Sequence, residues 1–290
     1  MKIKKLISAL VLGSMLVGLS GCNITDFSAE NLLRPPKAVG DEAEIEQLIA
    51  KTADSGYTLK YPKNGKFRSA MIMTDLDGND SNEAVAFFRN SAETSSVHML
   101  VMYSKDNSWE IASDNIFETT DIDSVDFADL TGNGKAEIIV NSTTYTPNVG
   151  KLSCYSYSEG KTNEVGSGQS CSSFVTGDFD NDGTSEIMSL VLYTTENEAL
   201  ASMLDYNEDS KSLYAKAMAN MDPNVVKYKN IAVTKLDNDI TGIVVDGTSA
   251  NEVTNTQVIF YSRDLAILRN PLFKEKAKNI TRRSSQVICS

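Results

Sequence analysis

The segment DFDNDGTSEI, residues 178–187, sets Asp178, Asp180 and Asp182 on alternate positions, with Gly183 and then Glu186 behind them. Carboxylates at that spacing can wrap a hard cation, because calcium takes six to eight oxygen ligands and a tight loop presents them on alternate residues. A helix–loop–helix calcium site needs a bidentate Glu at the twelfth loop position. Here that position is Ser189, and the acid stands at the ninth, as Glu186. The flanking runs SSFVTG and EIMSLVLYT carry no helical period and read as strands. The loop therefore joins two strands.

The pattern recurs. DLDGNDSNEAVAFF starts at Asp75, DLTGNGKAEIIV at Asp129, and a degenerate copy, KLDNDITGIVV, at Lys235, so the starts are 54, 49 and 57 residues apart. A second marker travels with it: Tyr103, Tyr157 and Tyr206 each lie 28 residues beyond the first residue of their loop, and Tyr261 lies 26 beyond Lys235. Each Tyr ends a strand-like run and is followed by a polar turn and another short run. Four antiparallel strands at a period of about 50 residues predict an all-β chain built of β-propeller blades, with four recognisable repeats of an incomplete propeller. The rival is a β-sandwich with recurrent turns, which does not require loops and tyrosines in constant register.

Over roughly residues 65–290 the loops resemble the FG-GAP and VCBS repeats, calcium-loop propeller repeats also found in integrin α-subunits. On that pattern loop positions 1, 3, 5 and 9 supply side chains and position 7 a carbonyl. The first loop then offers Asp75, Asp77, Asn79, Glu83 and the carbonyl of Ser81. The second offers Asp129, Thr131, Asn133, Glu137 and the carbonyl of Lys135, and the third Asp178, Asp180, Asp182, Glu186 and the carbonyl of Thr184. Gly134 and Gly183 at position 6 permit a positive φ, whereas the first loop has Asp80 there.

Carboxylate count ranks the third loop above the first and the first above the second. Lys235 and Ile243 at positions 1 and 9 leave the fourth copy with no metal expected. Up to three structural Ca2+ ions follow, held at about 10⁻⁴ to 10⁻³ M as in extracellular modules. Family loops usually carry Asp at position 9, and this chain has Glu three times. Either the loop geometry adjusts or the Glu acts from behind the direct ligands. Acidic surface turns without metal are the alternative.

At the N-terminus Lys2, Lys4 and Lys5 precede an apolar stretch, Leu6 to Leu19, which reads as an export signal. Leu19, Ser20, Gly21 and Cys22 resemble the lipobox of bacterial lipoproteins. That resemblance implies cleavage behind Gly21 and a diacylglyceryl group on Cys22, with an ordinary signal peptide or an uncleaved anchor as the alternative. The expected order is a signal peptide over 1–21, a tether over 22–54 with a short amphipathic helix at 41–53, and the repeats over 55–290. The product is expected on the extracytoplasmic face of a bacterial cell membrane, held by its lipid. More loosely, the whole chain resembles lipoprotein-anchored repeat proteins of Gram-positive gut-type bacteria.

Without the three leader lysines, 24 basic residues face 39 acidic ones, a net charge of about −15. This excludes nucleic acid as a partner class and suits cations. RSSQVICS, 283–290, aligns with FRSAMIMT, 67–74, which precedes the first loop, so further blades are expected beyond it.

Catalytic motifs are missing. His98 is the single histidine and lies in the strand-like run VHMLVMY; there is no GxSxG elbow, zinc spacing, phosphate loop or dinucleotide fingerprint. Cys154 and Cys171 are either a disulfide pair, which export permits, or two buried thiols, and Cys289 faces a further blade or is free. Trp109 and the repeated tyrosines read as packing rather than as a sugar platform. The expected function is a binding module for a protein or glycan ligand, not an enzyme. The rivals are a polysaccharide-acting surface enzyme and a structural envelope protein or gene fragment.

Overall fold

A computed structural model describes residues 40–54, 56–146, 148–193 and 198–269. Cys22 with its lipobox, Cys289 and the 283–290 segment lie outside the described residues. Glu44–Ser290 forms one compact unit, which holds every strand described below.

The helix α1 spans Asp41–Ala53, as its periodicity predicts, and seventeen strands follow among the described residues. They make four antiparallel sheets, each formed from strands consecutive in the chain. The first contains β1 (Tyr57–Leu59), β2 (Met71–Thr74), β3 (Glu83–Asn90), β4 (Val97–Lys105) and β5 (Ser108–Phe117). β1 pairs with the end of β3 and β2 with its start, so together they form one interrupted inner strand. The second sheet is β6 (Ile122–Ala128), β7 (Glu137–Thr143), β8 (Gly150–Ser158) and β9 (Lys161–Cys171). The third is β10 (Ser173–Gly177), β11 (Glu186–Tyr193), β12 (Glu198–Asn207) and β13 (Ser212–Asn220). The fourth is β14 (Val225–Asp237), β15 (Ile240–Ser249), β16 (Thr254–Tyr261) and β17 (Leu265–Arg269).

The second strand of each of the first three sheets is buried over at least six consecutive residues, largely apolar, because both of its faces are covered. In β3, Val85 and Phe87 pack toward Ile138 and Val140 of the second sheet, while Ala84, Ala86 and Phe88 face α1. Ile139 of β7 meets Ile187 of β11, and Met188, Leu190 and Leu192 of β11 meet Ile243 and Val245 of β15. Each sheet thus packs on the next in chain order. Each such buried aliphatic or aromatic side chain contributes about 1.5–3 kcal/mol. The inner strands β6, β10 and β14 are neighbours, and Thr176 of β10 donates its hydroxyl hydrogen to Asp126 Oδ2 of β6 at 2.9 Å.

Two boundaries differ from expectation. The helix belongs with the sheets and not with the tether: Ile45, Ile49 and Ala53 are fully buried on the face of the first sheet that points away from the second. Trp109 packs in the same cluster. Amphipathicity announced a buried face but not which surface would cover it. The possible Cys154–Cys171 disulfide is the second difference: both are free, buried thiols. β-Sheet register is the reason, since Cys171 lies opposite Gly150 and Cys154 opposite Gly166. Four residues along a ladder separate them by about 13 Å, beyond the reach of a disulfide. Burial pushes both thiols up, Cys171 to about 12.

Candidate metal centre

Each of the first three sheets turns from its inner strand into its second strand through one acidic loop. The loops are built alike. Position 1 is an acid whose oxygens gather backbone N–H groups: Gly78 and Asn79 donate to Asp75 Oδ1 at 2.7 and 3.3 Å, and Asp80 donates to Oδ2 at 2.9 Å. Asp129 receives the same three bonds from Gly132, Asn133 and Gly134. Position 5 binds the N–H of position 7, as Ser81 to Asn79, Lys135 to Asn133 and Thr184 to Asp182. The chain reverses through two left-handed residues per loop. Position 6 holds Asp80, Gly134 and Gly183 at φ 65, 80 and 94°, and position 4 holds Gly78, Gly132 and Asn181 at 73, 72 and 61°.

The three glutamates at position 9 open the second strand of their sheets and are buried, with Glu83, Glu137 and Glu186 at 3, 1 and 0% exposure. Each accepts the backbone N–H of position 2 through Oε2: Leu76 to Glu83 at 2.8 Å, Leu130 to Glu137 at 2.8 Å and Phe179 to Glu186 at 2.7 Å. The extra methylene relative to Asp lets the carboxylate reach back across the loop. One oxygen braces the backbone, which leaves the second to meet another partner.

What that second oxygen meets differs among the loops. In the second loop Glu137 Oε1 accepts the Thr131 hydroxyl hydrogen at 3.3 Å, and both Asp129 oxygens are bonded. In the third loop Glu186 Oε1 and Asp178 Oδ1 are buried without any partner, and in the first loop Asp77 Oδ1 is. Asp178, Asp180, Asp182 and Glu186 bring one carboxylate oxygen each within 4.8 Å of one another, as do Asp75, Asp77 and Glu83. Two acidic clusters can therefore hold a metal ion. An orphaned buried carboxylate oxygen costs free energy unless a cation or a proton meets it.

Burial raises the carboxyls of Glu83 and Glu137, and neighbouring loop acids add to it. Burial, with a further contribution from Asp180, Asp182 and Asp205, pushes Glu186 up to about 8. Burial also acts to raise Asp75, but the N–H bonds from Asp80, Gly78 and Asn79 outweigh it and hold its carboxyl below the usual range.

Two residues that no loop pattern signals enter the third site. Lys216 on β13 bonds Asp180 Oδ2, and at 2.8 Å Asp205 Oδ2 of β12. Both partners lie far along the chain from the loop and carry no repeat marker. The fourth copy is no loop at all: Lys235 pairs with Thr241 and Asp237 with Ile240, and the strands close through Asn238 and Asp239. With Lys at position 1 and Ile243 packed in the core, the strand ladder replaces the acid clasp.

The loops form a connected row. Ala136 N–H donates to the carbonyl of Leu76 at 3.1 Å, and Ser185 N–H to that of Asp129 at 2.9 Å. Asn181 Nδ2 donates to the carbonyl of Asp239 at 2.6 Å. The approach is close, since a Cβ on Gly132 would stand 2.7 Å from Thr184 Cγ2. Glycine is required there both by this contact and by its positive φ. The repeated tyrosines belong to the same arrangement. Tyr157 of the second sheet lies near Glu83 and Asp77 of the first loop, and Tyr206 of the third sheet near Glu137 of the second.

The other candidates are packed residues. His98 stacks on Phe88 at 4.8 Å and shares its Nδ1 with Asp114 at 2.9 Å. Among the described residues no hydroxyl or thiol hydrogen-bonds its ring. No family model matches this chain, and no curated protein does. The likeness of its loops to calcium-loop repeats rests on their residues alone.

Proposed function

We propose that this is a lipid-anchored extracytoplasmic binding module of β-propeller-type blades whose loops are clasped by calcium. The observation that carries the reading is Glu186: fully buried, it spends one oxygen on the Phe179 N–H and leaves Oε1 unpartnered among three aspartates. A hard divalent cation supplies the missing partner and neutralises the clustered charge. Asp178, Asp180, Asp182 and Glu186 would hold it most tightly, and Asp75, Asp77 and Glu83 next. The second loop, with Thr131 and Asn133 in place of acids and Glu137 Oε1 already bonded to Thr131, would bind weakest or fold without metal. Because the loops are hydrogen-bonded to one another, each ion would stiffen two sheets rather than one.

The role of the metal is structural and the work of the domain is recognition. Diacylation of Cys22 would hold the module at the membrane, since two acyl chains anchor a protein stably. Thermal melting of the chain in calcium and in a chelator tests the reading. A melting temperature several degrees higher in calcium, and not in magnesium, is expected; equal curves overturn it.

A further inference from the structure

We infer that a cleft at the opposite end of the inner strands from the acidic loops binds an anionic oligosaccharide, an inference that rests on reading the domain as a binding module. The loops follow the last residues of β2, β6 and β10, whereas the cleft is lined by Asp123 and Ser124 near the start of β6, Ser173 at the start of β10, and Lys227 to Lys229 near the start of β14. Six strand residues, roughly 20 Å, separate Asp123 from Asp129. The cleft is thus a separate site from the cation loops.

Its charge opposes that of the chain. Lys63, Arg68, Lys227 and Lys229 line it with one carboxylate, Asp123, in a chain of net charge −12. Asp123 is already engaged, accepting from Asn64 Nδ2 at 2.8 Å and from the Ser124 hydroxyl at 3.0 Å. Lys63 is paired with Asp121 at 3.1 Å. Among the described residues Arg68, Lys227 and Lys229 have no carboxylate within 4.0 Å. Three cations without an ion-pair partner therefore line the cleft against the one carboxylate of Asp123.

The backbone is arranged to present them. A regular strand sends neighbours to opposite faces, yet Lys227, Tyr228 and Lys229 all line the cleft. Register shifts in β14 between Val225 and Lys227 and between Tyr228 and Asn230 account for it, because bulges re-aim side chains. A third shift, between Ile122 and Ser124, sits at Asp123 on the facing strand. The loop that carries Lys63 and Arg68 is tied down by Lys63 N–H to the Ile122 carbonyl at 3.2 Å and Asn64 N–H to the Asp123 carbonyl at 2.7 Å.

The ligand class follows from the lining. The cleft is about 570 Å³, within the range of small-ligand sites. Amide and hydroxyl groups from Asn64, Thr143 and Ser172 stand among the cations, with the ring of Tyr228 beside them. Hydroxyl partners and cations together suit a polyhydroxylated anion carrying carboxylates or sulfates. A flat membrane surface does not enter a concave site, and a long nucleic acid, unlike a short oligosaccharide held within the basic cleft, extends over the acidic surface beyond it.

The test titrates trigalacturonate, a heparin-derived tetrasaccharide and neutral maltotetraose into the full chain in detergent with calcium, by calorimetry. Expected is saturable binding of at least one acidic sugar and none of maltotetraose. Lys227→Glu with Lys229→Glu should weaken that binding at least about tenfold, and Arg68→Glu on the loop likewise, with melting temperatures unchanged. Trigalacturonate binding assigns carboxylates as the recognised group, and heparin-fragment binding assigns sulfates. Failure of both acidic sugars, equal binding of maltotetraose, indifference to both variants, or capture of phosphatidylglycerol vesicles instead would overturn the assignment. A calcium titration on the same sample separates the two readings. Calcium heat without sugar binding removes the cleft and leaves the clasp, whereas maltotetraose binding alone removes the anionic ligand and leaves the binding module. Acidic-sugar binding without calcium heat keeps the cleft and removes the clasp.

Discussion

Glu186 accepts the backbone N–H of Phe179 at 2.7 Å, and the same bond joins Glu83 to Leu76 and Glu137 to Leu130. This bond explains why the ninth position carries Glu and not the shorter Asp. Glu186→Asp should lose the brace and leave the Phe179 N–H unsatisfied, costing about 1–3 kcal/mol. Urea unfolding with and without calcium measures it. A variant as stable as the parent in both conditions would show that the brace is incidental.

Stability of the metal-free chain should depend on pH through the same residue. Burial raises the Glu186 carboxyl from 4.5 to about 8, so between those values the folded chain holds a proton that the unfolded chain has released. Unfolded chains bind fewer protons in that window, and stability falls as pH rises through it. Unfolding midpoints in chelator should drop from pH 5 to pH 8, and calcium, which takes the proton's place, should remove the drop. A midpoint in chelator that climbs over this range would contradict the assignment.

Lys216 is a cation already present at the third loop, bonded to Asp180 and Asp205. Replacing it by Met removes the ammonium that competes with a divalent ion for Asp180. Lys216→Met should raise calcium affinity by roughly tenfold, about 1.4 kcal/mol. It should also lower metal-free stability by about 1–3 kcal/mol, because Asp205 loses its charged partner. Calorimetry and chelator melts read the two effects separately. Weaker calcium binding in this variant would mean that Lys216 orders the site rather than competing for it.

The helix α1 is held by Ile45, Ile49 and Ala53 against Ala84, Ala86 and Phe88. Ile49→Ala should cost about 2–5 kcal/mol. If the helix caps the first sheet, denaturation followed by hydrogen exchange should show protection lost first in β3 and β4. Uniform loss across all four sheets would argue that the helix stabilises the unit as a whole.

Much of this was visible in the residues. Loop spacing and tyrosine spacing predicted four sheets of consecutive antiparallel strands, because each repeat must bury both faces of its middle strands against neighbours. The constant register of loop and tyrosine has a physical cause in the fold: Tyr157 and Tyr206 lie near the glutamate of the preceding loop. Other features depend on distances that local sequence does not encode. The Cys154–Cys171 separation is set by a ladder register with two bulges in β9, and Lys216 reaches Asp180 only because β13 lies beside the third loop. Periodicity marks α1 as amphipathic but gives only a buried face and not its partner, which is the first sheet. The left-handed φ at position 6 was legible from Gly134 and Gly183, while position 4 was overlooked although Gly78 and Gly132 stand there.

The central claim is that the third loop is a calcium site centred on Glu186. Calorimetric titration of calcium into the full chain, set beside Glu186→Gln, tests it most directly. The account predicts a saturable calcium heat whose strongest component disappears in Glu186→Gln, since the amide keeps the shape of the side chain but not its charge. A chain that gives no calcium heat, or a Glu186→Gln variant that binds as tightly as the parent, would contradict it.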